Sequence, residues 1–146
     1  MSMSNASETA LLNLLFNNTD WANVGDAAGL QNSAAAGSFY VALHTADPTD
    51  AGNQTTSEAS YTGYARVAVA RTGGGWTVSG NQVSNTATVQ FGECTAGSAT
   101  VTHFSVGLLA SGAGDILYSG ALSASRTVSA NITPLFNPAT LVGTVD

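Results

Sequence analysis

Ser38-Phe39-Tyr40-Val41-Ala42-Leu43-His44-Thr45 alternates along its length, with Phe39, Val41 and Leu43 on one side of an extended chain and Tyr40, Ala42 and His44 on the other. Such a period of two marks a strand, because successive side chains point to opposite faces of the backbone. The same period returns in Tyr61-Thr62-Gly63-Tyr64-Ala65-Arg66-Val67-Ala68-Val69-Ala70-Arg71, where Ala65, Val67 and Val69 alternate with Tyr64, Arg66 and Ala68. Outward from these two stretches, strand-like runs recur at Trp76 and Val78, at Ala87, Val89 and Phe91, and from Ala99 to Leu108. Two more follow at Ile116, Tyr118 and Leu122 and at Val128, Ala130 and Ile132, and the tail from Leu135 to Asp146 offers an edge strand. Between them lie breakers: the polar 46–59 loop with Pro48 and Gly52, Gly73-Gly74-Gly75, the hairpin signal Gly80-Asn81, the 92–98 turn region, Gly112–Asp115 and Pro134. Short strands separated by turn signals every 8–12 residues or so indicate a sandwich, jelly roll or barrel. A parallel α/β fold would place helices between the strands, and no helical period is visible after residue 37.

Ahead of the strands the period is helical. Leu11, Leu12, Leu15 and Phe16 fall on one face, Ser7 is a candidate N-cap, and Glu8 sits in the first turn, where the helix dipole favours a negative charge. Asn17-Asn18-Thr19-Asp20 supplies the stop, and residues 21–37 read as a small-residue loop or short helix. The expected architecture is all-β: a jelly-roll-like sandwich of about eight short antiparallel strands with a leading amphipathic helix. Residues 1–37 form a helix-and-loop arm and residues 38–146 one sandwich domain.

Composition narrows the function. Of 146 residues only 8% are charged, against about 25% in an ordinary soluble domain. The three basic residues are Arg66, Arg71 and Arg126, there is no lysine, and the net charge is −6. Nucleic-acid binding draws its affinity from Lys and Arg neutralising phosphates, and anionic membrane surfaces are held the same way. Neither partner fits. A charge-poor surface rich in Ser, Thr, Asn and Gln suits protein laid against protein, where each buried charge would need a mate. The single cysteine, Cys94, allows no intrachain disulfide and reads as a small, partly buried thiol. The N-terminus lacks the basic and long apolar regions of a signal peptide, and no apolar run approaches the length that spans a bilayer. Synthesis in a cytosol is expected.

A search for catalytic and ligand-binding patterns returns little. His44 and His103 stand apart from any His, Cys, Asp or Glu at metal-ligand spacing. Asp47-Pro48-Thr49-Asp50 is more simply a turn than a calcium loop, which gathers several carboxylates and carbonyls. Gly73-Gly74-Gly75 is followed by neither Lys-Ser/Thr nor a helix, so it is not a phosphate loop. The acids lie mostly in loops, without the facing pair that glycoside hydrolysis needs, and no Gly-x-Ser-x-Gly elbow joins a strand to a helix. The reading is a protein without catalytic residues, cofactor or metal. Tyr40, Tyr61, Tyr64 and Trp76 are candidates for a sugar-stacking surface, with Trp76 beside Val78 reading more as core. Arg66 and Arg71 flank the strongest strand, where they serve either as salt-bridge partners across a subunit contact or as partners within the chain.

Several stretches together carry a resemblance. Ser7 to Trp21 (SETALLNLLFNNTDW), Phe39 to Pro48 (FYVALHTADP), Ala51 to Glu58 (AGNQTTSE) and Tyr61 to Arg71 (YTGYARVAVAR) are similar to a family of small tailed-bacteriophage virion proteins, often labelled phage tail fibre proteins. Thr102-His103-Phe104-Ser105 and Gly114 to Gly120 extend the likeness over nearly the whole chain. Some similar small phage proteins act as capsid cement, or decoration, proteins with jelly-roll folds. The resemblance implies a structural virion role and brings no catalytic residues with it. A fibre shaft usually shows repeats or coiled-coil heptads, which are absent here, whereas a small domain with an arm suits a clamp across capsomers.

The resulting expectation is a cement protein on the outer capsid surface that bridges major capsid proteins and copies of itself as a homo-oligomer. Leu11, Leu12, Leu15, Phe16, Trp21, Arg66 and Arg71 would make its contacts. The alternative is a tail fibre or tail-tip protein that recognises a host surface glycan.

Overall fold

A computed structural model describes residues 2–145; Met1 and Asp146, the outermost residues of the two expected segments, lie outside them. Among the described residues one helix, α1 (Asn5–Phe16), leads nine strands: β1 (Ser38–His44), β2 (Val67–Ala70), β3 (Trp76–Ser79), β4 (Gln82–Asn85), β5 (Val89–Gln90), β6 (Ser98–Gly107), β7 (Ile116–Ser129), β8 (Leu135–Phe136) and β9 (Val142–Thr144). They form a four-stranded sheet in the order β2-β1-β6-β7, a three-stranded sheet β3-β4-β9 and a two-stranded pair β5-β8. The pairings β1/β6, β6/β7, β3/β4 and β4/β9 are antiparallel. The all-β class with a leading helix is therefore what the chain adopts. Among the described residues no helix is long and apolar enough to cross a membrane.

The chain divides into two compact units that interleave in sequence. The first gathers Met1–Ser38, Ala70–Thr88 and Phe136–Asp146; the second gathers Phe39–Val69 and Val89–Leu135.

In the first unit α1 packs on β3 and β4. Its cap is Ser4, three residues earlier than the expected Ser7: the Ser4 hydroxyl accepts the Ser7 N–H at 3.4 Å. Leu12 and Phe16 are 0% and 1% exposed, and the Phe16 ring meets Trp76 edge to face with centroids 4.9 Å apart. Asn17 closes the helix, and Asn18 follows in the left-handed region at φ 52°, which Asn tolerates. Residues 21–37 form no helix; a Trp21–Leu30 bridge and an Asp26 carboxylate that accepts the Ala28 and Gly29 N–H groups shape them into a loop. Gly80-Asn81 makes the expected two-residue hairpin, with Ser79 opposite Gln82.

In the second unit β1 follows the predicted alternation at Phe39, Val41 and Leu43, but Ala42 and His44 are buried as well, so the strand's second half is covered on both faces. The predicted Tyr61–Arg71 strand shrinks to Val67–Ala70. Its first half is bent because Gly63, at φ 100°, brings its backbone against the Glu93 carbonyl, where a Cβ would lie 2.1 Å away. Thr62 and Ala96 pair as an isolated bridge beside it. The two strands expected at Ile116–Leu122 and Val128–Ile132 are one, β7, made continuous by an irregularity: Val101 faces Arg126, but His103 faces Ala121. Asn131, at φ 69°, ends it, leaving Ile132 45% exposed in a turn.

Candidate functional site

The second unit holds a polar cluster built on Arg66. Its guanidinium forks onto Glu58, Nε to Oε1 at 2.7 Å and Nη2 to Oε2 at 2.7 Å. It also reaches the loop between β6 and β7, donating from Nη1 to the Leu109 carbonyl at 2.9 Å and from Nη2 to the Gly112 carbonyl at 2.8 Å. Only 2% of the Arg66 side chain is exposed. The Tyr64 hydroxyl donates to Glu58 at 3.0 Å and accepts the Leu43 N–H at 3.1 Å. The bond to Glu58 pushes the Arg66 pKa further up, and burial pushes the Tyr64 phenol up as well. A fork of two charge-assisted bonds in a poorly solvated place fixes geometry as well as charge.

The same loop is gripped from its other side by Gln54, which is 0% exposed. Gln54 Oε1 accepts the Leu109 N–H at 2.9 Å, and the Gln54 backbone N–H donates to the Gly114 carbonyl at 2.9 Å. Gly107 and Gly114 flank its amide so closely that a Cβ at either would lie 2.3 or 2.2 Å from a Gln54 atom. Both backbone polar groups of Leu109 are thus held by sequestered side chains, while its own side chain is 49% exposed and that of Leu108 41%. Beside the loop lies an open recess of about 500 Å3, with the Glu58–Arg66 pair and Tyr64 among its lining and Ala110 and Gly112 on the loop side.

His44 and Ser105 form the arrangement that most resembles catalytic machinery. His44 Nε2 and the Ser105 hydroxyl are 2.8 Å apart, the spacing of a base and a nucleophile, and Nδ1 meets the Thr56 carbonyl at 2.8 Å. Both residues are 0% exposed. The hydroxyl is closed to solvent in this fold, and the pair ties β1 and β6 to the 53–59 loop. Burial holds the imidazole below its ordinary pKa of 6.5, against the opposing pull of the Thr56 carbonyl and Glu58. The sign of the pH dependence follows from this. In the unfolded chain the ring takes up its proton around 6.5, while the folded chain resists until lower pH, so the unfolded state binds more protons between those values. Stability should be level above this window, fall as pH drops below 6.5, and stop responding to this group beneath the folded pKa. Thermal melts across that range, set against a His44→Gln variant, should show this part of the pH dependence in the wild type alone.

In the first unit Arg71 is spent on α1, whose last turn contains no basic residue. It donates from Nη2 to the Leu14 carbonyl at 2.9 Å, from Nε to that of Leu15, and from Nη1 to that of Ala36 at 3.1 Å. A cation from elsewhere in the chain thereby satisfies the carbonyls at the negative end of the helix dipole. Among the described residues no group of three or more His, Cys, Asp or Glu could hold a metal ion. Asp47 accepts the Thr49 N–H at 2.9 Å, as a turn residue does. Cys94 is buried, its thiol directed at the Ala96 and Gly97 carbonyls.

The fold has therefore spent both strand-flanking arginines internally. Against known proteins, the family model described as Podophage GP4 fiber I protein gp80 matches residues 2–144. The chain belongs to that family. It is accordingly a tailed-phage virion protein of a structural fibre family, as the sequence resemblance implied. No curated protein matches the chain.

The structure disperses the seven residues expected to make contacts in this fibre-family protein. Leu12 and Phe16 lie in their own chain's core, Leu11, Leu15 and Trp21 are half-buried, and Arg66 and Arg71 are bound internally. Of the aromatic residues considered for sugar stacking, Trp76 and Tyr61 are 2% and 4% exposed, and Tyr40 and Tyr64 are half-buried. The exposed apolar side chains lie elsewhere, at Leu108, Leu109, Ile132, Leu135 and Val142 among others. Sequence reasoning missed the Leu108-Leu109 tip because the alternating run Ala99 to Leu108 ends there, and alternation does not tell whether a leucine at a strand's end is exposed. The one available signal was the glycine spacing around them, Gly107, Gly112 and Gly114.

Proposed function

We propose that this chain is a structural component of a podophage tail fibre, acting through protein–protein contacts. The match of a fibre-protein family over residues 2–144 carries the reading. Two structural features support it against the capsid-cement role expected from the sequence. The arm that a cement protein would lay on a neighbour has its apolar face, Leu12 and Phe16, buried on β3 and β4 of its own chain. The arginines expected to bridge subunits are committed internally. A host-glycan role finds less support, since two of the four rings that would stack a sugar are in the core.

Labelling purified virions with antibody against this chain, followed by electron microscopy, tests the proposal. Label confined to the tail appendages is the expected result. Label spread over the head would overturn it in favour of cement, and tight binding of the isolated protein to host polysaccharide would favour the receptor-binding reading.

A further inference from the structure

His44 lies against the segment that holds the β6–β7 loop, and its ring has no place for a second proton. Nδ1 faces the Thr56 carbonyl and Nε2 the Ser105 hydroxyl, both at 2.8 Å. A carbonyl only accepts, so Nδ1 carries the hydrogen, and Nε2 of the neutral ring accepts from Ser105. With Nε2 protonated, the Ser105 hydroxyl must turn to accept, and its own hydrogen loses the ring nitrogen in a residue that is 0% exposed. The charges around the ring divide. Glu58 attracts the proton, whereas Arg66 repels it, as does His103, which stands opposite His44 across the β1/β6 ladder. Glu58 is already engaged by the Arg66 fork, and burial keeps its other partner, the Tyr64 phenol, neutral. Burial outweighs the attraction, so the charged ring is disfavoured where it stands.

A proton that the closed fold resists is taken up more readily by any conformation that lets water reach the ring. The two walls of the His44 site differ in how firmly they are held. β1 and β6 run in unbroken antiparallel register from Tyr40 opposite Gly107 to His44 opposite His103. The other wall, residues 53–59, is irregular and rests on the end of β1 through few backbone bonds. The Ser57 carbonyl accepts the Thr45 N–H at 2.8 Å, and the Ala59 N–H donates to the Leu43 carbonyl at 2.9 Å. This is the wall that yields, and it carries both braces of the neighbouring loop. Gln54 bonds the Leu109 N–H and the Gly114 carbonyl, and Glu58 positions the guanidinium that bonds the Leu109 and Gly112 carbonyls. Lifting the segment therefore hydrates His44 and withdraws support from the loop in one movement.

We propose that residues 53–59 are an acid-released latch: protonation of His44 lifts them from β1 and frees the Leu108-Leu109 tip and the recess lined by Glu58 and Arg66. At neutral pH the latch is closed, and the exposed leucines are presented on a fixed backbone, which costs a contact residue no ordering entropy when it binds. In mild acid the same leucines are mobile, and the recess loses the wall that Glu58 and Ala59 give it. Histidine is the side chain whose ordinary pKa sets such a change near neutrality. The latch resides in the chain's own residues and does not depend on where the protein sits in the virion.

Amide hydrogen exchange of the full chain at about pH 7.5 and about pH 5, on either side of the ordinary histidine pKa, tests the latch once rates are corrected for the intrinsic pH dependence of exchange. Protection of the Gln54, Ala59 and Leu109 amides should fall several-fold at the lower pH, while the amides shared between β1 and β6 keep theirs. In His44→Gln the difference should vanish, because the new amide can donate to Thr56 and accept from Ser105 without titrating. In His103→Gln it should remain. A second measurement needs no variant: in the wild type, the midpoint at which Leu109 loses protection should coincide with the titration of the His44 ring followed by NMR, and not with that of His103. Unchanged protection, equal loss across the β1/β6 ladder, a response that persists in His44→Gln, or a midpoint that does not follow the His44 ring would each overturn the proposal. Tail labelling on virions would stand in any of those cases, so the two readings fail separately.

Discussion

Arg66→Met should destabilise the chain by about 3–5 kcal/mol, the range seen when one partner of a buried ion pair is removed. Methionine keeps much of the side-chain volume, so the loss is polar. Glu58 is left with a side chain only 18% exposed and the Tyr64 hydroxyl as its remaining donor, the Leu109 carbonyl loses its donor, and the Gly112 carbonyl keeps only the Gly114 N–H. Arg66→Lys should recover only a minor part, because an ammonium has neither the planar fork nor the reach to serve a carboxylate and two carbonyls at once. Removing both charges, in Glu58→Leu with Arg66→Met, should cost less than the sum of the single changes, and that non-additivity is the mark of a coupled pair. Urea denaturation of the four proteins measures it; strict additivity would mean that the pair contributes nothing beyond its separate parts.

The sequence was legible where local period and packing agree. The hairpin at Gly80-Asn81, the helix face of Leu12 and Phe16, and the inward side of β1 all follow from alternation and turn chemistry, which act over a few residues. It was less legible where a partner distant in the chain changes the outcome. The run Tyr61–Arg71 alternates cleanly, yet its first half is not strand, because the Gly63 backbone meets Glu93 and the polar groups of Tyr64 and Arg66 bond Glu58. No local pattern encodes that arrangement. Arg71 likewise flanks a strand in sequence but acts at the end of a helix some fifty-six residues earlier. The braced loop was hidden for the same reason: Gln54 sits in a polar, breaker-rich stretch that reads as solvent-facing, and its burial is decided by glycines at 107 and 114. Sequence thus identified the class and the family, while the candidate surface had to come from contacts between distant segments.

Asn85→Ala should be about as costly as the loss of Arg66, on the order of 3–5 kcal/mol. Asn85, at the end of β4, is 1% exposed, and its amide is fully used. The amide nitrogen donates to the Ala87 and Asn137 carbonyls at 2.8 and 2.9 Å, and the amide oxygen accepts the Thr140 and Leu141 N–H groups at 3.1 and 2.9 Å. Four bonds are all that an asparagine side chain can make. Three of these four partners belong to the 137–141 turn, which passes through Ala139 at φ 61° before leading into β9. A non-glycine residue in that region is strained and stays there only while its surroundings hold it. The backbone of Asn85 assists, accepting the Ala139 N–H at 2.8 Å. Removing the amide orphans the Leu141 N–H and the Ala87 carbonyl, leaves the Thr140 N–H and hydroxyl bonded only to the Asn137 carbonyl, and loosens the turn, so β9, an edge strand paired over three residues with β4, should fray. Asn85→Leu should be no milder than Asn85→Ala, because filling the space restores none of the four bonds. Asn85→Asp should also fail, since a carboxylate would face the Ala87 and Asn137 carbonyls with nothing to donate. Hydrogen exchange supplies the check: amides of residues 140–144 should lose protection in Asn85→Ala well before those of β6 and β7, and uniform loss across the chain would refute a local role.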